Sequence, residues 1–393
     1  MRVVIAPDKF KGSLSAPEAA AALERGLLAA APGLAVAKVP VADGGEGTLE
    51  AAFGAGYARH EATVTGPTGE PLVAAFAVRG RQAVIEMAAA SGLAVLPGGQ
   101  LQARTATSRG TGELVRAALD AGCTQIVLGI GGSASTDGGA GLLAGLGARL
   151  LDAGGSDLPE GGAALASLAA VDLSGLDRRL ERTEIVLASD VDNPLLGANG
   201  AAAVFGPQKG ASAADVAELD AALARFVEVL AAGTGGQVRQ VADSPGAGAA
   251  GGVGFAAMAV LGARRSRGID VVMEMTQLKP KIEGAALVVT GEGSLDLQSL
   301  EGKAPVGVAA LAAAAGVPVA AVCGRTLLTG SQLEAAGFVR TYALTDLEAD
   351  PAECMANAAA LLEETGRKIA HHLLGAGSPA GTLSVSSQRG DNQ

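Results

Sequence analysis

The chain has 393 residues, of which 49% are hydrophobic and 18% charged, with 58 glycines and a formal net charge of -11. This length exceeds one ordinary domain and allows two buried cores, and the composition excludes disordered and fibrous classes. The acidic balance, the 2% aromatic content and the lack of a basic cluster exclude a nucleic-acid groove, which needs cations and stacking surfaces.

The opening Arg2-Val3-Val4-Ile5 reads as a short strand, not as a charged segment leading into a signal-peptide core, so a cytoplasmic protein is expected. The loop "APDKFKGSLS" follows. A helix is predicted from Ser15, where Ser15 and Glu18 have capping-box spacing, Pro17 lies in the first turn and Pro32-Gly33 is the stop. A second strand-like run begins at Ala35, and "GPTGEP" at 66–71 is taken as a domain boundary. Further strands are predicted at 72–78, 83–87, 125–130 and 185–189, with helices at 112–121 and 213–232. Regular alternation returns at Leu287 with "LVVTGEG", a helix at 306–315, the strand "VPVAAVCG", the run "VRTYALTD" and a last helix at 351–374. Strands alternating with helices imply a parallel sheet.

The expected architecture is therefore α/β in two domains. Residues 1–64 and 285–375 form one parallel α/β domain, 65–284 form a second α/β domain inserted into it, and a cleft separates them. The polar, small-residue stretch 376–393 is expected to be a flexible tail. The most apolar segment, 307–322, is broken by Gly316 and Pro318 and reads as helix, turn and strand, not as a membrane span.

Five loops share one construction, an apolar strand followed by glycines and then a carboxylate or lysine: "APDKFKGSLS", "VADGGEGT", "GIGGSASTDGGAG", "ASDVDNPLLG" and "TGEGSLDLQSLEGKAP". Glycines at strand ends let backbone N–H groups converge on an anion. The competing reading of each is an ordinary turn in a glycine-rich chain. Gly129, Gly131 and Ala134 also fit a dinucleotide-binding turn, with Asp152 roughly 20 residues on. Against it, Gly138, Gly139, Gly141, Gly145 and Gly147 make a poor crossover helix, each costing up to about 1 kcal/mol relative to alanine. A second match at Gly246, Gly248 and Gly251 has no strand before it, and no Walker A loop is present.

Cys123, Cys323 and Cys354 are widely spaced, with no CxxC pair, and read as buried hydrophobes in a reducing compartment. His60, His371 and His372 lie outside the glycine loops, and there is no GxSxG elbow, which disfavours a Ser-His-Asp hydrolase. A general base must then be a carboxylate or a lysine. Lys9, Lys11, Lys209 and Lys303 offer point charges, and Asp8, Asp43, Glu46, Asp137, Asp190, Asp192, Glu292 and Asp296 offer carboxylates for Mg²⁺ or for orienting a nucleophile. Phosphoryl transfer needs that combination, because its catalysis is mainly positioning and charge neutralisation. Each carboxylate equally suits a helix cap or turn.

The segments "APDKFKGSLSA", "PVADGGEGT", "IEMAAASGL", "TSRGTGEL", "GIGGSASTDGGAG", "DVDNPLLG", "VFGPQKGA", "GAGAAGGVG" and "TGEGSLDLQSLEGKAP" occur in the order and spacing of the class I glycerate kinases, and the chain resembles that family to about residue 370. The resemblance implies a flavodoxin-like domain built from both chain ends with a second α/β domain inserted. It also implies ATP-dependent, Mg²⁺-assisted phosphorylation of D-glycerate at the 2-hydroxyl, giving 2-phosphoglycerate and ADP in the interdomain cleft. Glycerate 3-kinase activity, or phosphorylation of a related small hydroxy acid, is the alternative. A dinucleotide-dependent oxidoreductase and a non-catalytic hydroxy-acid sensor are the competing classes.

On this reading Asp190 is the base or orienting carboxylate, with Asp43 competing for the role and Lys11 neutralising the transferring phosphate. Asp8, Lys9, Ser13, Gly131, Gly132, Ser133, Ser135, Asp137, Asp192, Asn193, Lys209 and Lys303 are the substrate- or phosphate-binding candidates, and Glu292 and Asp296 are assigned to Mg²⁺ or the nucleotide. The chain departs from the family pattern at Lys9, usually serine, at Thr136, usually asparagine, and at Ser294, usually arginine. With no tryptophan and 2 tyrosines, adenine is expected between aliphatic side chains. The expected partners are small molecules, with no nucleic acid and no membrane, and oligomeric state is open.

Overall fold

Val3 to Pro7 are buried along the whole first strand, Arg2–Pro7, and a strand covered in this way needs neighbours on both edges. The computed structural model, which describes residues 1–300 and 302–375, supplies them within one compact unit, Met1–Val41 with the chain from Thr276 onward. Arg2–Pro7 pairs in parallel with Leu287–Leu295 on one side and Ala35–Lys38 on the other. Val319–Thr326 and Phe338–Ala343 extend the sheet, also in parallel. Counted along this unit the strand order is 2-1-3-4-5, the flavodoxin-like arrangement.

The first helix, Ala16–Ala30, starts at the predicted cap. The Ser15 hydroxyl accepts from the Glu18 amide at 3.4 Å while the Glu18 carboxylate accepts from the Ser15 amide at 2.9 Å. The expected last helix is two helices, Pro351–Ala356 and Ala358–Leu373. Asn357 breaks it by turning its side-chain amide back onto the Glu353 carbonyl at 3.0 Å. The strand expected to reach 346 ends at Ala343, because Leu344–Asp346 close into a 3-10 turn.

The second unit, Ala42–Met275, carries a six-stranded mixed sheet. Its order is Arg264–Ser266, Glu184–Ala188, Gln125–Gly129, Gln82–Glu86, Pro71–Arg79, Ala58–Thr65. The first four are parallel neighbours and the last two join antiparallel. The segment "GPTGEP", read as a domain boundary, is the turn of the 58–65/71–79 hairpin, with the Gly66 amide donating to the Glu70 carbonyl at 2.7 Å. The unit therefore begins before it. Leu114, Leu128, Leu142, Leu223, Phe226 and Phe255 belong to one buried core cluster, the two phenylalanines meeting edge to face at 5.8 Å. All three cysteines are free and buried. Among the described residues no helix is long and apolar enough to cross a membrane.

The dinucleotide reading does not survive this topology. After the Gly129 turn comes only the short helix Ala140–Gly145, and the next strand, Arg149–Leu151, pairs antiparallel with Ala170–Asp172 instead of joining the main sheet. The chain returns to the main sheet only at Glu184–Ala188, after that antiparallel pair, so the compact strand-helix-strand unit of a dinucleotide site does not form there. Asp152 accepts from the amides of Gly154 and Ser156 and closes its own turn. The glycines of the second match serve close packing: a Cβ on Gly248 would stand 2.1 Å from the Pro194 carbonyl, and one on Gly251 2.1 Å from that of Ser135.

In the first unit the helices Ala16–Ala30 and Ala358–Leu373 cross through two glycines. A Cβ added at Gly26 would lie 1.9 Å from the Glu363 carbonyl oxygen. Helix propensity alone favours Gly26→Ala by about 1 kcal/mol, but the backbone contact reverses the sign, and the substitution is expected to destabilise by about 1–3 kcal/mol. Gly33→Ala, which meets nothing within 4 Å, serves as the control and should change stability by less than about 0.5 kcal/mol. Urea unfolding of both variants checks this, and equal stabilities would contradict the packing account.

Candidate active site

In open α/β sheets ligands bind beyond the carboxyl ends of parallel strands. In the Ala42–Met275 unit those ends carry Met87, the 130–139 loop, the 189–193 loop and Arg267-Gly268. The Asp43–Glu46 segment lies across them, and glycine makes the approach possible. A Cβ on Gly129 would stand 2.6 Å from the Gly44 carbonyl, one on Gly131 2.6 Å from the Gly45 Cα, and one on Gly268 1.9 Å from the Asp43 carbonyl. Two of the motifs found in sequence, "VADGGEGT" and "GIGGSASTDGGAG", are thus brought together with Gly268 by backbone contacts that no larger residue permits.

Asp190 and Asp43 sit at this convergence. Asp190 accepts from the Gly268 amide at 3.1 Å, and Asp43 accepts from the Gly45 amide at 3.3 Å. Asp190 reaches water at the mouth of the loops, yet the loops strip enough solvent from its carboxylate to push its pKa up to about 6, with the Asp43 charge adding to the effect and Arg267 and Arg265 opposing it. It is a carboxylate poised near neutrality. Asp192 pairs with Arg265 at 2.6 Å, and Asn193 donates to the Asn199 carbonyl at 2.8 Å, tying its own loop.

The glycine loop has two characters. At its exposed end, the amides of Gly131 and Gly132 donate to no backbone carbonyl among the described residues, and Gly132 takes a φ of +72°. Two successive amides free of backbone partners are the kind of group from which an anion-binding concavity can be built. At its inner end, Asp137 is fully buried and accepts from the Ser108 amide and hydroxyl, both at 2.8 Å, and from the amides of Gly139 at 3.1 Å and Gly141 at 3.2 Å. Burial pushes the Asp137 pKa up and these bonds pull it down. Lys209 is also buried, its Nζ donating to the Ser133 hydroxyl at 2.8 Å and the Ser135 carbonyl at 2.5 Å. Asp137 and Lys209, candidates for direct ligand contact in the sequence, lie behind the loop surface.

The remaining candidates belong to the other unit, at the carboxyl ends of Arg2–Pro7 and Leu287–Leu295. The 8–13 loop rides on Gly293, where an added Cβ would be 3.1 Å from the Lys11 amide. Asp8 is buried and accepts from the Lys9 amide at 2.6 Å, Lys11 is exposed, and the Ser13 hydroxyl oxygen is buried with no hydrogen-bond partner. Asp296 accepts from the amides of Gln298 and Ser299, capping the short helix Leu297–Leu300, while Glu292 accepts from the Ser299 hydroxyl at 2.6 Å. Lys303 precedes the helix Ala304–Ala314 and contacts Gln298 at 3.4 Å. Among the described residues no three His, Cys, Asp or Glu side chains gather as a metal cage. Glu292 and Asp296, oxygen donors converging on one serine, suit an ion held by one or two carboxylates and completed by phosphate oxygens, the usual habit of Mg²⁺.

Sequence reasoning passed over Arg265, Arg267 and Gly268, which bear on Asp190 and Asp192. The signal was "ARRSRGI", three arginines in a strongly acidic chain, but its strand is only three residues long. Glu86 was also missed; it is buried and accepts from the Thr48 amide at 2.9 Å at the start of the helix Thr48–Gly54. Arg325 of the adjacent strand reaches Ser294 at 3.3 Å, so a guanidinium stands beside the position where the family pattern has arginine.

A model of the glycerate kinase family matches residues 3–374. A glycerate kinase of Bacillus subtilis (strain 168) is 46% identical over 373 residues, covering 94% of this chain and 97% of its own. A glycerate 2-kinase of Escherichia coli (strain K12) is 49% identical over 328 residues, covering 82% and 85%. A solved structure from Salmonella typhimurium LT2, assigned as a glycerate kinase 2, superposes with a TM-score of 0.82 at 44% identity and covers 95% of this chain and 98% of that one. The chain belongs to the glycerate kinase family of phosphotransferases.

Proposed function

We propose that the chain transfers the terminal phosphoryl group of ATP to the 2-hydroxyl of D-glycerate, giving 2-phosphoglycerate and ADP. The observation that carries the reading is the pairing of Asp190, a carboxylate with its pKa pushed up to about 6, with Asp43 beside the open amides of Gly131 and Gly132. A hydroxyl nucleophile needs a proton acceptor near neutral pH, and the migrating phosphoryl needs fixed donors. Asp190 accepts the hydroxyl proton or orients it; the 131–135 loop holds anionic oxygens. Within the unit Met1–Val41 with Thr276 onward, Lys9, Lys11 and Lys303 offer the positive charge that nucleotide phosphates need. Glu292 and Asp296 would hold Mg²⁺, whose chemistry there would be to neutralise charge on the nucleotide phosphates. The family and the Escherichia coli relative named as a glycerate 2-kinase support this choice of acid and hydroxyl. A cytoplasmic setting accords with three free, buried cysteines.

Asp190→Asn should lower kcat for glycerate-dependent ADP release by roughly 10²-fold or more with the melting temperature unchanged or raised. Turnover within threefold of wild type would remove Asp190 from the role, and a dead Asp43→Asn beside a working Asp190→Asn would transfer it to Asp43.

The pH profile supplies a second test. The base works ionised, so wild-type kcat should fall with unit slope below about pH 6, and Asp43→Asn, which removes the neighbouring charge, should move that limb to lower pH. For stability the sign is opposite to the usual carboxylate case. With its pKa raised from 3.8 to about 6, Asp190 binds more protons folded than unfolded between those values, so wild type should lose stability relative to Asp190→Asn as pH rises through that window. A wild-type profile flat down to pH 4.5 would contradict the assignment.

A further inference from the structure

Lys209 is the largest fully buried side chain of the described residues, at 1% exposure. It lies on the 3-10 turn Pro207–Lys209, after which Gly210 reverses the chain at a φ of +95°. The turn aims the side chain inward. An ammonium carries three donors, and two of them are spent on one loop, on either side of Ala134: the Ser133 hydroxyl at 2.8 Å and the Ser135 carbonyl at 2.5 Å. Asp137 interacts favourably with the same ammonium and is itself fixed by Ser108, Gly139 and Gly141. Beside them the hydroxyls of Ser135 and Thr136 are buried without partners.

Burying an ammonium is costly, and an apolar side chain of similar size would fill the slot at lower cost. Burial brings the lysine's pKa down to about 7 while Asp137 pulls it upward. What the lysine adds over a hydrophobe is direction: two hydrogen bonds fix the Ser133–Ser135 backbone, and the exposed amides of Gly131 and Gly132 continue from that fixed segment.

We infer that Lys209 is a positioning residue: it does not touch the anion, but locks the backbone of the 131–135 loop in the geometry that holds the transferring phosphoryl oxygens. The inference rests on the reading of that loop as an anion cradle in a glycerate kinase. A lysine that merely bound substrate would have to reach solvent, and Lys209 does not.

The test compares wild type, Lys209→Met, Ser133→Ala and the double variant in steady-state kinetics and backbone hydrogen exchange. Lys209→Met is expected to lower kcat at least tenfold with the KM values for ATP and glycerate within threefold, because a cradle for the transferring group acts in the transition state. Ser133→Ala, which removes one of the two contacts and keeps the fold if Lys209→Met does not, should lower kcat by a smaller factor. The double variant should be no worse than Lys209→Met, the non-additivity expected of one shared interaction. Exchange of the 131–137 amides should quicken in Lys209→Met while the rest of the unit is unchanged. A kcat within twofold of wild type in Lys209→Met, or in Ser133→Ala should Lys209→Met fail to fold, would overturn the inference. So would a proportional rise in KM at constant kcat, which marks direct binding. Wild type with no glycerate-dependent ADP release would instead remove the functional reading, while the exchange comparison still reports whether Lys209 holds the loop.

Discussion

Close backbone approach through glycine is the constraint on which the rest of the Ala42–Met275 unit depends. Gly44, Gly129, Gly131 and Gly268 let the 43–46 segment lie directly on the ends of the parallel strands. The consequence is electrostatic. Asp43 and Asp190 are brought to one place, where burial and the neighbouring charge together hold the Asp190 carboxylate near neutrality, a state it would not reach on a separate surface loop. A methyl group at any of these glycines would push the segments apart and relax Asp190 toward ordinary acidity.

Behind that surface lies a second, buried layer of charge. Asp137 gathers amides from the start of the helix Arg109–Asp120 and from its own loop, and Lys209 anchors the loop from the other side. Buried charges of this kind contribute little net stability compared with a well-packed hydrophobe, but their hydrogen bonds define one backbone geometry. On the proposed reading the two outer carboxylates, Asp190 and Asp43, carry the chemistry, and the buried charges set the frame.

Much of the fold is legible from local rules. The capping box at Ser15 and Glu18, the apolar strand at 2–7 and the alternation after Leu287 lead directly to the flavodoxin-like sheet of the first unit. The strand Ala58–Thr65 escaped notice because it is a sheet edge, with Arg59, His60 and Glu61 exposed, and such a strand carries no apolar run. Its turn was then mistaken for a domain boundary. The final helix was read too long because one asparagine, Asn357, interrupts it without changing the apolar period.

The site was legible as a set of residues and not as a set of roles. Residue type and spacing alone pick out Asp43, Asp137, Asp190 and Lys209 on equal terms and only the family resemblance ranks them, whereas burial separates the two inner charges from the two outer ones. Glycine has the same ambiguity: the residue that takes a φ of +72° at Gly132 is the residue that permits backbone contact at Gly268. The most direct measurement of the central claim is to incubate the protein with ATP, Mg²⁺ and D-glycerate and pass the product to enolase without a phosphoglycerate mutase. The account predicts ADP release with immediate phosphoenolpyruvate formation; ADP release with phosphoenolpyruvate only after mutase is added would contradict transfer to the 2-hydroxyl, and no glycerate-dependent ADP release would contradict the kinase reading itself.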